Sequence, residues 1–236
     1  MRGSHYQQSL VLPGACRLLG LQRGRRVLDL GCGQGVLARY LHRKGLRVEG
    51  LDISSQLLAL ARRRSPDSIL FHQADAAHAE TLVDQRFDAV ACLLALQNME
   101  RLEPVFQNVR RWLRPEGCFV AVITHPCFRI PRQSHWGFDD SRQIQYRRVD
   151  RYMTPTAIPI LTPPFKGGKE YTMTYHRPLQ DYFAALAEAG LVVNRLEEWT
   201  SDKTSEPGKR SRAENRARQE IPLFLAFRAV HGAGGG

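Results

Sequence analysis

The sequence has no apolar run approaching the roughly 18 residues that a membrane-spanning helix needs. Its first residues, Met1–His5, also lack the apolar core of a secretory signal. The five cysteines are scattered, odd in number and without CxxC spacing, which argues against a disulfide framework and against a zinc site. We therefore expect a cytoplasmic protein with reduced thiols, no metal and no membrane partner.

Acidic residues are also in deficit, because 23 Asp and Glu face 34 Lys and Arg, for a net charge of +11. This balance permits an acidic partner, such as nucleic acid, an anionic surface or a substrate that carries phosphate or carboxylate. The same charge balance is also consistent with a surface whose positive charge serves only to keep the protein soluble. The hydrophobic content of 43% over 236 residues is sufficient for the core of one good-sized domain.

Apolar segments alternate with amphipathic ones along the chain. Strands are predicted at 26–30, 47–51, 68–72, 87–93 and 118–124, and helices at 6–20, 36–44, 55–65, 77–83, 102–114 and 178–190, with a turn at 115–117. This alternation predicts an α/β fold whose parallel sheet is covered on both faces. The last two strands, 191–198 and 223–230, have no room for a helical crossover and should pair antiparallel.

The alternation of strands and helices fails over about 50 residues, 125–174, which are rich in proline, arginine and aromatic residues. A loop of this length is usually functional or disordered, and its aromatic content favours an ordered lid that lines a pocket. The alternative is a surface excursion with its own small core. We predict a single domain, 1–236, divided into a helical cap (1–24), a cofactor-binding half (25–125), an inserted lid (126–175), a C-terminal half (176–231) and a flexible tail (232–236).

A glycine-rich loop follows the first predicted strand. Gly31, Gly33 and Gly35 can adopt positive φ, and they lack the Cβ atoms that would keep a ligand away from the backbone. Strand, glycine loop and helix together are typical of a nucleotide-binding crevice. Taken alone, the glycines are weak evidence, since an ordinary strand-to-helix turn uses them too.

Three carboxylates near strand ends narrow the choice of ligand. Asp52 follows the loop by about 20 residues and suits the hydroxyls of a ribose, while Asp75 could accept a hydrogen bond from the amine of adenine. Asp29 lies beside the loop, where it would repel a pyrophosphate but attract a cationic amine. S-adenosylmethionine combines ribose, adenine and such an amine. A nicotinamide dehydrogenase would need the longer G-x-G-x-x-G run, but position 36 is Val36.

The chain resembles the class I S-adenosylmethionine-dependent methyltransferases, in particular those that act on small molecules. The motifs that carry the resemblance occur in family order over about residues 20–125: Val27–Gly35, Gly50–Ser54, Gln73–Ala76, Phe87–Val90 and Leu113–Gly117. The resemblance implies a Rossmann-like, doubly wound, seven-stranded sheet with the last strand antiparallel. It also implies S-adenosylmethionine as cofactor and S-adenosylhomocysteine as product.

The same resemblance implies the cofactor-binding residues. The glycines of the loop, with Cys32, would approach the methionine part, and Asp29 would hold its amine. Asp52 and Ile53 would take the ribose side, Asp75 and Ala76 would flank the adenine, and Leu93 would border the donor methyl. Tyr6, from the N-terminal segment, could close over the cofactor or simply pack against the domain.

Two histidines are candidate general bases for methyl transfer. His125 follows the fifth strand, and His176 lies in a Tyr-His-Arg run at 175–177 that is faintly similar to small-molecule members of the family. Either histidine could instead have a structural role. We expect a monomer or homodimer that methylates O or N of a small-molecule acceptor, anionic or aromatic in character. Two alternatives stay open: an RNA methyltransferase that uses the basic lid, and a non-catalytic, S-adenosylmethionine-binding partner subunit.

Overall fold

A computed structural model describes residues 5–78, 82, 84–161 and 171–232. Its strands are β1 (Arg26–Leu30), β2 (Arg47–Asp52), β3 (Leu70–Gln73), β4 (Phe87–Leu93), β5 (Leu113–Thr124), β6 (Ser134–Asp139), β7 (Ile144–Val149), β8 (Thr156–Leu161), β9 (Tyr171–His176), β10 (Leu191–Trp199) and β11 (Phe224–His231). The helices are α1 (Leu12–Leu19), preceded by a π-helical turn (Gln7–Val11), α2 (Val36–Arg43), α3 (Ser55–Arg64), α4 (Leu102–Trp112), α5 (Leu179–Glu188) and α6 (Ser211–Glu220).

The central sheet has seven strands in the order β10-β11-β5-β4-β1-β2-β3. Strands β1 to β5 pair in parallel, and β11 pairs antiparallel with both β5 and β10. The predicted Rossmann-like sheet with its antiparallel last strand is thereby confirmed. The strand order reverses beside β1, and in such sheets the ligand crevice lies at the carboxyl ends of the strands next to this reversal.

Helices cover both faces of the sheet because each presents one apolar side. α4 and α5 contribute to one core, around Phe106 and Tyr182, and α1, α2 and α3 contribute to the other, around Leu41 and Leu58. β5 is buried on both sides from Cys118 onward, as its continuous apolar run predicts. The predicted helix at 77–83 and the predicted tail fall mostly outside the described residues.

Three features differ from the sequence-based expectations. The stretch in which the strand–helix alternation fails contains two antiparallel hairpins that were not predicted, β6–β7 and β8–β9. The polar stretch at 200–220 contains α6, which apolar periodicity did not reveal because Ala217 is its one buried residue. The predicted turn at 115–117 lies within β5, as an irregularity where the register passes from Leu113 opposite Phe87 to Cys118 opposite Ala89.

All five cysteines are free, and three of them are buried. Over the described ranges, no helix has the length and apolarity required to traverse a bilayer. The cytoplasmic location stays a prediction.

Candidate cofactor and acceptor site

The glycine loop joins β1 to α2 at the carboxyl edge of the sheet. Gly31, Gly33 and Gly35 have φ values of 67°, 52° and 70°. A Cβ on Gly31 would lie 2.5 Å from the Cβ of Ala95, whereas one on Gly33 would meet nothing nearer than 4.0 Å. A Cβ on Gly35 would lie 2.9 Å from Cζ of Phe71. The loop therefore needs glycine for its backbone at all three positions, and at Gly31 and Gly35 for space as well.

The end of β2 holds this loop in place. The N–H groups of Gly31 and Cys32 donate to the carbonyl of Leu51 at 2.8 and 3.0 Å. Asp52 Oδ2 accepts from Gly33 N–H at 2.7 Å, and Asp52 Oδ1 accepts from the N–H of Ser54 at 2.9 Å. These bonds orient the Asp52 carboxylate, and each oxygen keeps a lone pair for a further donor.

Asp29 lies beneath the loop rather than beside an open crevice. Its side chain is buried, with 2% of the residue exposed, and Oδ2 accepts from the N–H of Ala38 in the first turn of α2 at 3.0 Å. Burial raises the pKa of Asp29 to about 7; the Ala38 bond opposes this rise and the nearby charge of Asp52 adds to it. A cation placed next to Asp29 would relieve this electrostatic penalty.

The adenine-side residues follow β3. Asp75 is half-exposed, and its carboxylate accepts from the N–H of Ala77 at 2.9 Å and lies 3.2 Å from Nδ1 of His78. Ala76 is buried, and its carbonyl accepts from the side chain of Asn108 at 2.9 Å. The carboxyl edge thus presents the glycine loop, Asp52 and Asp75 in the spatial order of β1, β2 and β3.

On the other side of the loop, β4 ends in a backbone feature that the sequence did not reveal. Leu94, directly after Leu93, has φ of 57°, which is uncommon for a residue with a bulky side chain. Its N–H donates to the carbonyl of Val122 at 2.7 Å, and its carbonyl accepts from Nε2 of Gln97 at 2.9 Å. Strained backbone of this kind is concentrated at functional sites. No sequence signal marks it, since leucine carries no preference for positive φ.

His125 follows β5 and is held by both of its ring nitrogens. Nδ1 accepts from the N–H of Cys127 at 3.2 Å, so Nε2 carries the proton and donates to Oε1 of Glu198 at 2.7 Å. Burial lowers the pKa of His125, and the hydrogen bond to Glu198 opposes that effect. In this arrangement the ring is neutral and has no free lone pair with which to accept a proton from a substrate.

His176, at the end of β9, is also buried. Its Nε2 donates to the carbonyl of Tyr152 at 2.7 Å, and the hydroxyl of Tyr152 accepts from the N–H of Leu179 at 2.8 Å. These contacts connect the hairpin β8–β9 to the start of α5. The side chain of Tyr152 also hydrogen-bonds Cys127, whose N–H donates to His125, so one polar network contains both histidines.

Tyr6 packs near the β10–β11 end of the sheet. Its hydroxyl lies 2.8 Å from Oγ of Ser201, its ring is 6.2 Å from that of Phe224, and Nζ of Lys203 lies 4.9 Å from the ring centroid. Phe224 is opposite Thr124, the last residue of β5, so Tyr6 does reach the carboxyl edge.

The residues around the loop fit S-adenosylmethionine. The backbone around Gly33 has open space where a side chain would otherwise lie. Ile53 leaves 67% of its surface exposed beside the Asp52 carboxylate, so an apolar platform and a hydrogen-bond acceptor for a nucleoside lie together. Asp29 is buried next to the loop, and a ligand amine beside it would offset the cost of ionising this carboxyl group.

Comparisons with known proteins agree with this geometry. Residues 28–121 match the family model described as a methyltransferase domain. The chain is 31% identical over 207 residues to the malonyl-[acyl-carrier protein] O-methyltransferase of Enterobacter lignolyticus, covering 85% of this chain and 79% of that protein. It is 32% identical to the ubiquinone biosynthesis O-methyltransferase of Alkalilimnicola ehrlichii, over 48% of this chain and 47% of that protein. A solved S-adenosylmethionine-dependent methyltransferase from Mesorhizobium loti superimposes with a TM-score of 0.71 at 29% identity, covering 92% of this chain and 95% of that one. Together with the sheet order and the glycine loop, these similarities show that the chain belongs to the class I S-adenosylmethionine-dependent methyltransferases.

Proposed function

We propose that this methyltransferase transfers the methyl group to an oxygen atom of a small molecule bound above the carboxyl ends of β4 and β5. The observation that carries the proposal is the attachment of the two hairpins to the loops that follow these strands. Thr174 in β9 donates to Oδ1 of Asn98 at 3.1 Å, and Nε of Arg147 in β7 donates to the carbonyl of Phe128 at 2.8 Å. The hairpins therefore border the edge beside the cofactor loop, which suits a small acceptor better than an RNA helix.

The names of the relatives support an oxygen acceptor. Both curated relatives described above are O-methyltransferases, and the alignment with the malonyl-[acyl-carrier protein] enzyme covers most of this chain. An oxygen acceptor is thus favoured over nitrogen, and a small molecule over RNA. The intact loop and its carboxylates are compatible with a non-catalytic binding protein, but they give no reason to prefer that alternative.

For the cofactor, we assign the ribose hydroxyls to the remaining lone pairs of Asp52 and the adenine to the surface between Ile53 and Ala76, with Asp75 at its amine. Asp29 would face the methionine amine through Oδ1, since Oδ2 is bonded to α2. When bound, S-adenosylmethionine supplies an electrophilic methyl group on a sulfonium. Leu93 and the backbone after β4 would border that group.

The chain's own contribution to the reaction is alignment and the exclusion of water, which can lower such a barrier by several kcal/mol. The geometry of His125 favours a positioning role, because its bonds to Cys127 and Glu198 tie the segment after β5 to β10. A role as general base would require the Cys127 bond to break first. His176 suits a similar role beneath the hairpin β8–β9.

A transfer assay tests the proposal. The purified chain is incubated with labelled S-adenosylmethionine and either a panel of small hydroxy and carboxy compounds or total tRNA, and labelled products are identified by mass spectrometry. We expect label in a small-molecule ether or ester, with no transfer by the Asp52→Ala variant. Label in RNA alone, or cofactor binding without any turnover, would refute the proposal. Light scattering on the same sample distinguishes a monomer from a homodimer.

A further inference from the structure

Two partly buried arginines share one aromatic ring in the hairpin β6–β7. Cζ of Arg129 lies 5.0 Å from the ring centroid of Trp136, and Cζ of Arg147 lies 5.2 Å from the same centroid. We call these three residues the arginine–tryptophan cluster. The ring stabilises both cations and restricts their positions.

Neither arginine of the cluster has an acidic partner in the described part of the chain. Arg129 donates to the carbonyls of Pro222 and Ile221, and Arg147 donates to the carbonyl of Phe128 and to the carbonyl and hydroxyl of Ser134. Burial, together with the smaller effect of the charge of Arg147, lowers the pKa of Arg129 to about 10. Two like charges are therefore held close together, partly out of water and without a neutralising group.

Two of the more exposed arginines nearby have acidic partners. Arg148, the next residue along β7, pairs with Asp150 at 2.5 Å, and Arg210 of α6 pairs with Asp140 at 3.0 Å. These two exposed charges are neutralised, although water could solvate them, whereas the less accessible cluster has no acidic partner among the described residues. This contrast argues that the counter-charge of the cluster comes from a ligand.

The cluster lies where the methyl acceptor is expected. Arg129 follows the carboxyl end of β5 by five residues, and its charge is close enough to the Tyr6 hydroxyl for the two to interact. Lys203, above the Tyr6 ring, adds another cation on this side. The cluster and Lys203 together place three cations at this part of the edge, and positive charge attracts an anionic substrate.

We propose that Arg129 and Arg147 bind a carboxylate group of the methyl acceptor. A planar guanidinium matches a carboxylate in geometry and forms charge-assisted hydrogen bonds with it. Because backbone carbonyls already bond part of each guanidinium, and the Ser134 hydroxyl also bonds Arg147, both groups are oriented before the acceptor arrives. This inference rests on the proposed function and specifies the class of its substrate.

Calorimetry with malonate as the probe tests the inference. Malonate, neutral dimethyl malonate and inorganic phosphate are each titrated into the chain saturated with S-adenosylhomocysteine. The variants are Arg129→Gln, Arg147→Gln and Arg147→Lys, and Arg148→Gln is the matched control from the same strand. Binding of S-adenosylhomocysteine to every variant reports whether the fold and the cofactor site are intact, so it tests the proposed function separately.

We expect malonate to bind the wild-type chain, and each substitution to glutamine in the cluster to weaken its binding by at least about tenfold. Arg147→Lys should lose part of the affinity for malonate, because lysine keeps the positive charge but lacks the paired N–H donors of a guanidinium. Arg148→Gln should leave the affinity unchanged. Equal binding of malonate to the cluster variants and the control would overturn the inference, as would equal binding of malonate and dimethyl malonate. Tighter binding of phosphate than of malonate would overturn the assignment to a carboxylate.

Discussion

Replacing Asp29 by asparagine removes a buried negative charge while retaining an oxygen that can accept from Ala38. In the folded chain the pKa of Asp29 rises to about 7, chiefly because burial penalises the ionised form. The folded state therefore holds the proton more tightly than the unfolded chain does. The stability that this proton provides is fully present below about pH 4, and it is lost as the pH rises through 7.

The size of this effect follows from the pKa. A rise from 3.8 to about 7 corresponds to about 4 kcal/mol of unfolding free energy as an upper limit. The amide of the variant cannot ionise, so its contribution does not change with pH. We expect the stability of Asp29→Asn relative to wild type to increase by about 2–4 kcal/mol between pH 4 and pH 8, since the other titrating groups cancel in the difference.

The same substitution should weaken the binding of the cofactor. Without the charge, the affinity for S-adenosylmethionine at pH 8 should fall by about 10–100-fold, the range for a charged hydrogen bond. In wild type near pH 7, binding of the cationic amine should release about half a proton, and the variant should release none. Urea denaturation at several pH values measures the stabilities, and calorimetry in two buffers of different ionisation enthalpy measures the protons.

Asp88→Asn is the matched control, because Asp88 lies at the opposite edge of the sheet. Burial raises the pKa of Asp88, but the hydrogen bond from Arg26 N–H and the charge of Arg114 outweigh it and lower that pKa. The stability of Asp88→Asn relative to wild type should therefore change with pH in the direction opposite to that of Asp29→Asn. Cofactor affinity should not change in this control. The reasoning about Asp29 is refuted if Asp29→Asn shows the wild-type dependence of stability on pH and the wild-type affinity for S-adenosylmethionine.

Three further predictions concern the loop and the acceptor side. Asp52→Ala should lower the affinity for S-adenosylmethionine by at least about 100-fold, because it removes the acceptor of Gly33 N–H together with the proposed ribose contact. The circular dichroism spectrum should not change. Unchanged affinity would exclude Asp52 from the site. Gly31→Ala should lower the free energy of unfolding more than Gly24→Ala does. Both positions have positive φ, which costs alanine about 1–2 kcal/mol at each, but only the Cβ at position 31 would also clash, at 2.5 Å. Equal losses in urea denaturation would contradict this prediction. His125→Ala should lower Tm and raise KM while kcat on the true acceptor changes less than about tenfold, whereas a loss of about 10²–10⁴-fold in kcat would establish a general base.

The fold was largely predictable because its signals are local. The strands β1, β2, β4 and β5 coincide with continuous apolar runs, and α4 coincides with apolar residues at helical spacing. The hairpins were not predictable, since β6 and β7 are half-exposed ribbons whose stability depends on pairing with each other. α6 was missed for a related reason, because contacts with β7 and a network around Ser205 stabilise a helix that is polar on nearly every side.

The sequence by itself determined the cofactor class, because the glycines, Asp29, Asp52 and Asp75 follow strands whose carboxyl ends must meet at one edge of a parallel sheet. Only the tertiary structure decided what those side chains face. It buries Asp29 against α2, engages both nitrogens of His125 through Cys127 and Glu198, and leaves the arginine–tryptophan cluster without an acidic partner among the described residues. His125 and Glu198 are 73 positions apart, and contacts over such separations leave no pattern in a single sequence. Electrostatic environment and hydrogen-bond saturation are properties of the packed site, so they became visible only in three dimensions.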